Sequence, residues 1–434
     1  MQFLYSVLII IIKIKIMNSD ISLARFKQFP VLMWIFLFGS FITRGSYYMV
    51  WPFLAVILYE KFALSATEVG LVLTSAAVIS VFTSFIGSSL SDKVGRHTLM
   101  YITGVLYIIS FSLLAEVETV AGYVIVMTLC SIATALWRPL TSAAIGDIIE
   151  DSQTRELAMQ SLYFIVNVGC AVGPLAGVWL GLTGEQSSFY ITAGAFAILL
   201  VLLVWGFNFS DKAAKNTAAI DEPEEKKPAV QGKQILRILF ADKLLQCLIL
   251  ANILCMFIYA QMDSSLIQYL TRAEAPDLLA LISALIFTNA LVIISSQFLL
   301  LKMMARFSLT VRIQIGLVLL MVSQFWLALN PIDLFWGWIG AIVVMSLAET
   351  ILFPTMNVHL DRLAPSHLRG AYFGAASFYD LGFALAPLGG GLILDYYNGP
   401  TLFFAAGGLC LVVIYLYAIL EKLPRPDFAS TLPK

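Results

Sequence analysis

The sequence predicts an all-α integral membrane protein in which twelve transmembrane helices form two six-helix halves. Of the 434 residues, 60% are hydrophobic and 12% are charged, whereas a soluble domain carries about 25% charged residues. The apolar runs are long enough to span a bilayer, for which a helix needs roughly 20 residues. They are continuous and do not alternate polar with apolar residues, which favours helices over a β-barrel.

Twelve runs meet this length requirement, and each is predicted to be one transmembrane helix. In chain order they cover residues 31–59, 67–91, 98–117, 121–147, 157–182, 188–208, 240–268, 278–301, 308–329, 334–358, 371–395 and 400–420. A mean hydropathy of +0.89 agrees with a chain that is mostly surrounded by lipid.

The basic residues are distributed unequally between the two sides of the predicted bundle. The side of the N-terminus carries Arg25, Lys27, Lys93, Arg96, Arg155, Lys302, Arg306, Arg312, Arg362, Arg369, Lys422 and Arg425, together with seven basic residues of the central loop. The opposite side carries Lys61 and Arg272. Cytoplasmic loops are enriched in Lys and Arg, so both termini are predicted to be cytoplasmic. The net charge of −1 gives no reason to expect a nucleic-acid partner.

One long polar stretch, Ser210–Gly232, separates the sixth run from the seventh. It is rich in charge and low in aromatic residues, so it is predicted to be a solvated, partly helical linker. The predicted organisation is an N-terminal segment 1–30, a half 31–209, a linker 210–239, a second half 240–421 and a tail 422–434. The halves are weakly similar, because aligning Pro174 with Pro387 also aligns Gly169 with Gly382.

The first sixteen residues do not fit this organisation. Leu8–Ile12 is apolar but too short to span a membrane, and no small-residue cleavage site follows it. The residues from Met17 onward look like an ordinary cytoplasmic N-terminus. We therefore hypothesise that Met17 is the initiator, which an intact mass of the native protein tests.

A charged segment, Gly87–Arg96, joins the second predicted helix to the third. Its functional candidates, together with an acidic residue of the fourth helix, are Gly87, Asp92, Lys93, Gly95, Arg96 and Asp147. Gly87 permits a close helix approach, and Gly95 permits a backbone conformation with positive φ. The carboxylate of Asp92 suits the N-terminus of an opposing helix, and Arg96 can pair with Asp147.

The pattern Gly-x-x-x-x-Asp-Lys-x-Gly-Arg in this segment resembles the loop between helices 2 and 3 of the major facilitator superfamily. The resemblance extends over about 400 residues and leaves out the N-terminal extension, the linker and the tail. It implies a solute transporter whose halves rock about a central site, and a charged cluster that latches the cytoplasmic side. It also implies that helices 1, 4, 7, 10 and 11 line the cavity. A monomer in the plasma membrane, the inner membrane of a bacterium, is expected.

The fifth predicted helix carries a glycine pattern formed by Gly169, Gly173, Pro174 and Gly177. The spacing gives a smooth face for tight helix contact, and the proline loosens the backbone hydrogen bonds. The pattern resembles the Gly-x-x-x-Gly-Pro-x-x-Gly-Gly signature of the antiporter branch of the superfamily. Val178 replaces the last glycine of that signature.

Few ionisable residues lie deep in the predicted helices, and such residues are functional candidates because they are costly to bury in a membrane. The proton-coupling candidates are Glu349, Asp380 and Asp263. Arg44 and Arg138 are candidates for the cavity wall. The Arg138-Pro139 pair resembles the variant found in a branch of multidrug and dipeptide exporters. The alternative for each of the five is a static ion pair that only positions helices.

Aromatic and amide side chains of the predicted helices are further candidates to line a cavity. They are Tyr47, Tyr48, Trp51, Tyr163, Asn167, Tyr259, Gln261, Asn289, Gln324 and Tyr379. Surfaces of this kind suit varied apolar cargo. The cysteines and histidines lack metal-ligand spacing, and no phosphate-binding Gly-x-x-x-x-Gly-Lys-(Ser/Thr) loop occurs. We therefore expect no metal, no cofactor and no enzymatic activity, with protons as the coupling ion.

Together these features predict an exporter of drugs, dipeptides or related metabolites that works by proton antiport. A nutrient importer with the same fold, working by proton symport, is an alternative. A membrane sensor or scaffold that transports nothing is an alternative from another class, and it would be expected to have a large soluble domain.

Overall fold

The computed structural model describes residues 23–182, 185–217, 232–365 and 369–426. Within these ranges, twelve helices are long and apolar enough to cross a membrane. We label them α1 (Val31–Phe62), α2 (Ala66–Val94), α3 (Arg96–Glu116), α4 (Val120–Ile148), α5 (Ser152–Leu180), α6 (Phe189–Thr217), α7 (Lys243–Arg272), α8 (Leu278–Met304), α9 (Leu309–Leu329), α10 (Phe335–Leu363), α11 (Tyr372–Tyr396) and α12 (Gly399–Ile419). A short helix, Leu23–Phe26, precedes α1, and another, Gly232–Ala241, precedes α7.

The predicted spans agree with these helices to within a few residues at most ends, and polar caps explain several differences. The helix α5 starts at Ser152 and not at 157, because the Asp151 carboxylate accepts a hydrogen bond from Thr154 N at 2.8 Å. The helix α6 continues into the predicted linker as far as Thr217. The predicted Met17 start and residues 218–231 of the predicted linker lie outside the described residues.

Three spanning helices contain a local change of winding. In α1 a 3₁₀ turn, Trp51–Phe53, contains Pro52, which has no N–H to donate. In α7 a π-helical turn covers Met262–Leu266, and in α11 a 3₁₀ turn covers Ser377–Tyr379. Such interruptions of regular winding are frequent at functional sites. Here, α1, α7 and α11 all contribute side chains to the central cavity described below.

The apolar interior consists of two clusters. One is built mainly by α1–α6, with Phe36, Phe53 and Phe111 among its fully buried side chains. The other is built by α7–α12 and includes Trp338 and Phe403. Each six-helix half therefore has its own core, as the predicted fold class requires.

The two halves repeat one packing detail that the alignment of Gly169 with Gly382 predicts. A Cβ added to Gly169 would lie 3.0 Å from the carbonyl oxygen of Phe41 in α1. A Cβ added to Gly382 would lie 2.1 Å from the carbonyl oxygen of Ile253 in α7. In both halves a glycine thus brings the fifth helix against the first, backbone to backbone.

The two ends of the helix bundle differ in which helix ends they carry. We call the end that carries the start of α1 and the end of α12, at Val31 and Ile419, the terminal face. The opposite end is the distal face. The helices α2 and α8 begin at the distal face, whereas α7 and α11 end there.

At the terminal face, Asp242 joins several elements of the second half. Its carboxylate is fully buried and accepts from Leu245 N at 3.1 Å, which caps α7. It also accepts from the Tyr372 hydroxyl and, at 3.1 Å, from Arg425 Nη2. The same guanidinium donates to the carbonyl oxygen of Leu363 at 2.8 Å, so the tail is fastened to α7, α10 and α11.

We expect Arg425→Ala to destabilise the protein by about 2 kcal/mol, because it leaves a buried carboxylate without its charged partner. The estimate is below that for a fully buried pair, since the Arg425 side chain is 28% exposed. Unfolding in detergent can be followed with a thiol-reactive dye that reports exposure of buried cysteines such as Cys255 and Cys410. The control is Arg362→Ala, which removes an exposed cation from the same face. Equal unfolding temperatures for the two variants would contradict this role of Arg425.

Candidate functional site

A cavity of about 210 Å³ lies between the two halves. The first half contributes Tyr48 of α1 together with Asn167 and Cys170 of α5. The second half contributes the remaining wall, which consists of Tyr259, Met262, Asp263, Ile286, Asn289, Ala290, Ile293, Glu349, Phe353 and Phe383. Most of these residues lie near the middle of their helices. The cavity is therefore in the position that a rocking transporter requires for its binding site.

Glu349 is held in this cavity through one of its two carboxylate oxygens. Its Oε2 atom accepts from the Tyr259 hydroxyl at 2.5 Å and from Asn289 Nδ2 at 2.9 Å. The Asn289 amide lies 3.0 Å from Ser346 Oγ, which itself donates to the backbone of α10. Among the described residues none forms a hydrogen bond with Oε1 of Glu349. This oxygen is therefore available to take up or release a proton while Oε2 stays in place.

Asp263 differs from Glu349 in its surroundings. It belongs to the π-helical turn of α7, and its side chain is exposed in the cavity. It forms no hydrogen bond and no ion pair with the described residues, although its charge acts on Glu349 and on Tyr48 of the other half. A carboxylate without a partner favours a positively charged occupant of the cavity.

The other side of the cavity is formed by α1 and α5. Asn167 donates through Nδ2 to the carbonyl oxygen of Tyr163 at 2.9 Å, which fixes the orientation of its amide. Arg44 is not among the residues that line the cavity. Its guanidinium lies over the ring of Tyr47 at 5.8 Å, and that ring stacks on Trp51 at 4.8 Å. Tyr47 and Trp51 therefore pack against the core of the first half, with Arg44 beside them.

Six predicted site residues meet at the cavity, namely Tyr48, Asn167, Tyr259, Asp263, Asn289 and Glu349. Asp380 is exposed at the start of a helical segment of α11, outside the lining of the cavity. Gln261 is buried and donates to the carbonyl oxygen of Phe257 at 3.1 Å. Tyr163 is 47% exposed, whereas Tyr379 is buried. The side chain of Arg138 lies outside the described residues.

Several apolar residues of the cavity wall were not among the predicted site residues, although the sequence contains a signal for them. Ile286 and Ile293 lie three residues before and four residues after Asn289, and Phe353 lies four residues after Glu349. Residues at these separations share one face of a helix. Extending each polar candidate by helical spacing would have found this part of the wall.

The segment Gly87–Arg96 is mostly helix and not a loop. The helix α2 continues to Val94, and α3 starts at Arg96, so Gly95 alone separates them, with φ 89°. No glycine or proline lies between Gly87 and Gly95, and the positive φ of Gly95 ends the helix. Arg96 pairs with Asp147 of α4. The side chains of residues 87–94, which include Asp92 and Lys93, lie outside the described part.

The glycine pattern of α5 lies against α1. A Cβ added to Gly173 would lie 2.2 Å from the carbonyl oxygen of Gly45, so the two backbones are in direct contact. Pro174 lies inside the helix, and Gly177 is buried. Since α5 also carries Asn167 into the cavity, this packing positions one wall of the site.

A second cavity, of about 530 Å³, lies between α1, α5 and α6. Its wall is apolar except for Ser46, whose hydroxyl donates to the carbonyl oxygen of Thr43 at 3.1 Å. No titratable residue lines it among the described residues. The smaller cavity between the halves is therefore the candidate site.

Comparison with known proteins identifies relatives over most of the chain. The chain is 25% identical over 376 residues to YqjV, an uncharacterized MFS-type transporter of Bacillus subtilis (strain 168). This match covers 86% of this chain and 89% of YqjV. It is 23% identical over 383 residues to a Na⁺, Li⁺, K⁺/H⁺ antiporter of Planococcus maritimus. That match covers 81% of this chain and 87% of the antiporter.

Solved structures of transporters share the fold. A peptide transporter POT in complex with sulfate has a TM-score of 0.73 at 19% identity, covering 91% of this chain and 95% of that chain. The nucleoside transporter NupG has a TM-score of 0.70 at 14% identity, and the match covers 91% of this chain and 100% of NupG. These identities show the fold alone. The family model of the Major Facilitator Superfamily matches residues 36–380, and the chain therefore belongs to this superfamily of membrane transporters.

Proposed function

We propose that this transporter is a proton-coupled antiporter that exports small molecules, with Glu349 as the group that carries the proton. The position of Glu349 carries the proposal, because its carboxylate lies in the cavity between the halves with Oε2 held and Oε1 free among the described residues. Ionisable residues within a membrane are costly, and they mark ion and proton pathways. When the halves rock, such a group exchanges its proton with one side of the membrane at a time.

The cargo in this proposal carries a positive charge. Two carboxylates, Asp263 and Glu349, line the cavity, and no Lys or Arg does so among the described residues. A cation and a proton then compete for the same negative charge, which couples their movements in opposite directions. The relative from Planococcus maritimus, an antiporter of Na⁺, Li⁺ and K⁺ against H⁺, supports this reading.

The cavity also limits the size of the cargo. Sites for drug-sized molecules have volumes of about 300–1,000 Å³, and this cavity has about 210 Å³. A small cation, such as a monovalent metal ion or a small amine, fits this volume better than the drugs or dipeptides that the sequence suggests. Asp380 has no role in the proposed cycle, because it lies outside the lining of the cavity.

The distribution of Lys and Arg supports a cytoplasmic terminal face. In this orientation both termini are cytoplasmic and the distal face points out of the cell. Protons that enter down their gradient then drive cations outward. We propose that the transporter does this as a monomer in the inner membrane of a bacterium.

Proton movement in inside-out vesicles tests the proposal. Respiration acidifies the interior, and a pH-sensitive dye reports the gradient while Na⁺, K⁺, small amines, dipeptides or organic anions are added. We expect a small cation to dissipate the gradient, and dipeptides and anions to have no effect. We expect Asp263→Asn to raise the half-saturating concentration of the cation about tenfold, because it removes a charge from the cavity. Vesicles without the transporter are the control.

Three results would overturn the proposal. A response to dipeptides or anions that equals the response to cations would exclude a cationic cargo. Uptake of cargo together with protons, seen only in right-side-out vesicles, would identify an importer. Absence of any response from folded protein would exclude proton coupling to the compounds tested.

A further inference from the structure

At the distal face, the turn between α1 and α2 is held by two side chains of the other half. Arg272, the last residue of α7, donates through Nη2 to the carbonyl oxygen of Leu64 at 2.8 Å. Asp395, near the end of α11, accepts from Ala66 N at 2.9 Å and from Thr67 N at 2.7 Å. One basic and one acidic side chain of the second half thus form hydrogen bonds with peptide groups of one short turn of the first half.

The start of α2 shows why Asp395 is needed. The first four N–H groups of a helix have no acceptor within the helix. Ser65 and Glu68 form a capping box, in which Ser65 N donates to the Glu68 carboxylate at 2.8 Å and Glu68 N donates to Ser65 Oγ at 3.2 Å. The two remaining N–H groups, of Ala66 and Thr67, donate to Asp395. The cap of α2 is therefore completed only by the other half.

The helices α2 and α11 also touch through their backbones at this face. A Cβ added to Gly391 would lie 2.3 Å from the carbonyl oxygen of Ala66, and a Cβ added to Gly70 would lie 2.2 Å from that of Pro387. Two turns further into the bundle, Leu388 N donates to Thr74 Oγ1 at 3.2 Å. The cavity can open to the distal face only if these contacts separate.

We propose that Arg272 and Asp395 form a distal clamp, which sets the balance between the conformation seen here and one whose distal face is open. Asp395 is exposed at its position on α11, so water replaces its hydrogen bonds to Ala66 and Thr67 when the clamp opens. The clamp is therefore strong enough to favour closure and weak enough to open in every transport cycle. Opening of the clamp requires only that the two halves move apart at the distal face. The clamp therefore acts in the same way whatever the cargo and the coupling ion are.

The distance between spin labels on the two halves tests the clamp. Labels at Glu118→Cys and Asp333→Cys sit on exposed distal residues, one in each half. We expect Asp395→Asn to raise the ratio of distally open to closed molecules about tenfold, because the amide keeps only one of the two acceptor oxygens and removes the negative charge from the N-terminus of α2. The matched control is Asp277→Asn, which changes an acidic residue at the start of α8 whose side chain caps nothing. It should leave the ratio unchanged.

A second variant removes one of the two hydrogen-bond donors, the N–H group of residue 66, and leaves the acceptor Asp395 unchanged. In Ala66→Pro the first N–H group of α2 is lost, at the helix position where proline is favoured. We expect the open population to rise here too, by about threefold for one of the two hydrogen bonds. Distance distributions for Asp395→Asn and Ala66→Pro that both match the Asp277→Asn control would overturn the proposal. Since no cargo is present in this measurement, its failure is distinct from a failure of the proposed antiport.

Discussion

Glu349→Gln is expected to lower proton-driven transport by roughly 100-fold or more, because an amide cannot carry a proton. The fold and the cavity should remain, since the glutamine oxygen can accept the same hydrogen bonds from Tyr259 and Asn289 that Oε2 of Glu349 accepts. The measurement is the rate at which a small cation dissipates the pH gradient in inside-out vesicles. In the same vesicles, exchange of labelled for unlabelled cation without a gradient should retain a measurable rate, because that exchange needs no protonation step.

Two variants control this prediction. Glu118→Gln makes the same change on an exposed residue of the distal face, and it should transport at the wild-type rate. Asn289→Ala removes one of the two donors to Glu349 but keeps the carboxyl group, so a smaller loss is expected. A wild-type rate of proton-driven transport in Glu349→Gln would show that another group carries the proton.

The spanning helices could be predicted because hydrophobicity is a local property of the chain. Each spanning helix can be recognised from about 20 consecutive apolar residues, whichever helices pack against it. The helix ends were harder, because a helix can continue into polar sequence where a cap supports it. Asp151 sets the start of α5 in this way. The helix α2 continues to Val94, although the charges near its end suggested a loop.

The candidate site was predictable in part for the same reason. Glu349 and Asp263 stand out in sequence because each is a charge in an apolar helix. Asp380 stands out equally, and only the packing of the helices separates it from the cavity. The two donors to Glu349 lie 90 and 60 residues away in the chain. No local pattern reports a contact across that distance.

The distal clamp could not be predicted from the sequence, because its contacts join residues even further apart in the chain. Asp395 and Thr67 are 328 residues apart, and each looks like an ordinary polar residue at a helix end. Their contact depends on how the two halves sit against each other. The positive-inside pattern places both at one face, but it carries no information on which helix ends meet there.

Gly173→Ala is expected to destabilise the protein by about 3 kcal/mol, since overpacking a rigid contact typically costs 1–3 kcal/mol and backbone atoms have little freedom to move. The added Cβ would lie 2.2 Å from the carbonyl oxygen of Gly45, so α5 and α1 must separate. The matched control is Gly194→Ala in α6, where nothing lies within 4 Å of the added atom. Both glycines border the apolar cavity between α1, α5 and α6. In the control, alanine should be neutral or stabilise by up to about 1 kcal/mol, because it favours helix more than glycine does.

The unfolding temperature of the two variants in detergent measures this difference, and equal temperatures would show that α5 does not rest on α1 as described. The comparison also bears on function, because α5 carries Asn167 and Cys170 into the cavity. Molecules of Gly173→Ala that fold should therefore bind the cation more weakly than Gly194→Ala, although neither residue lines the cavity between the halves. A loss of stability without a loss of affinity would indicate that the second half, with Asp263 and Glu349, holds the cargo alone.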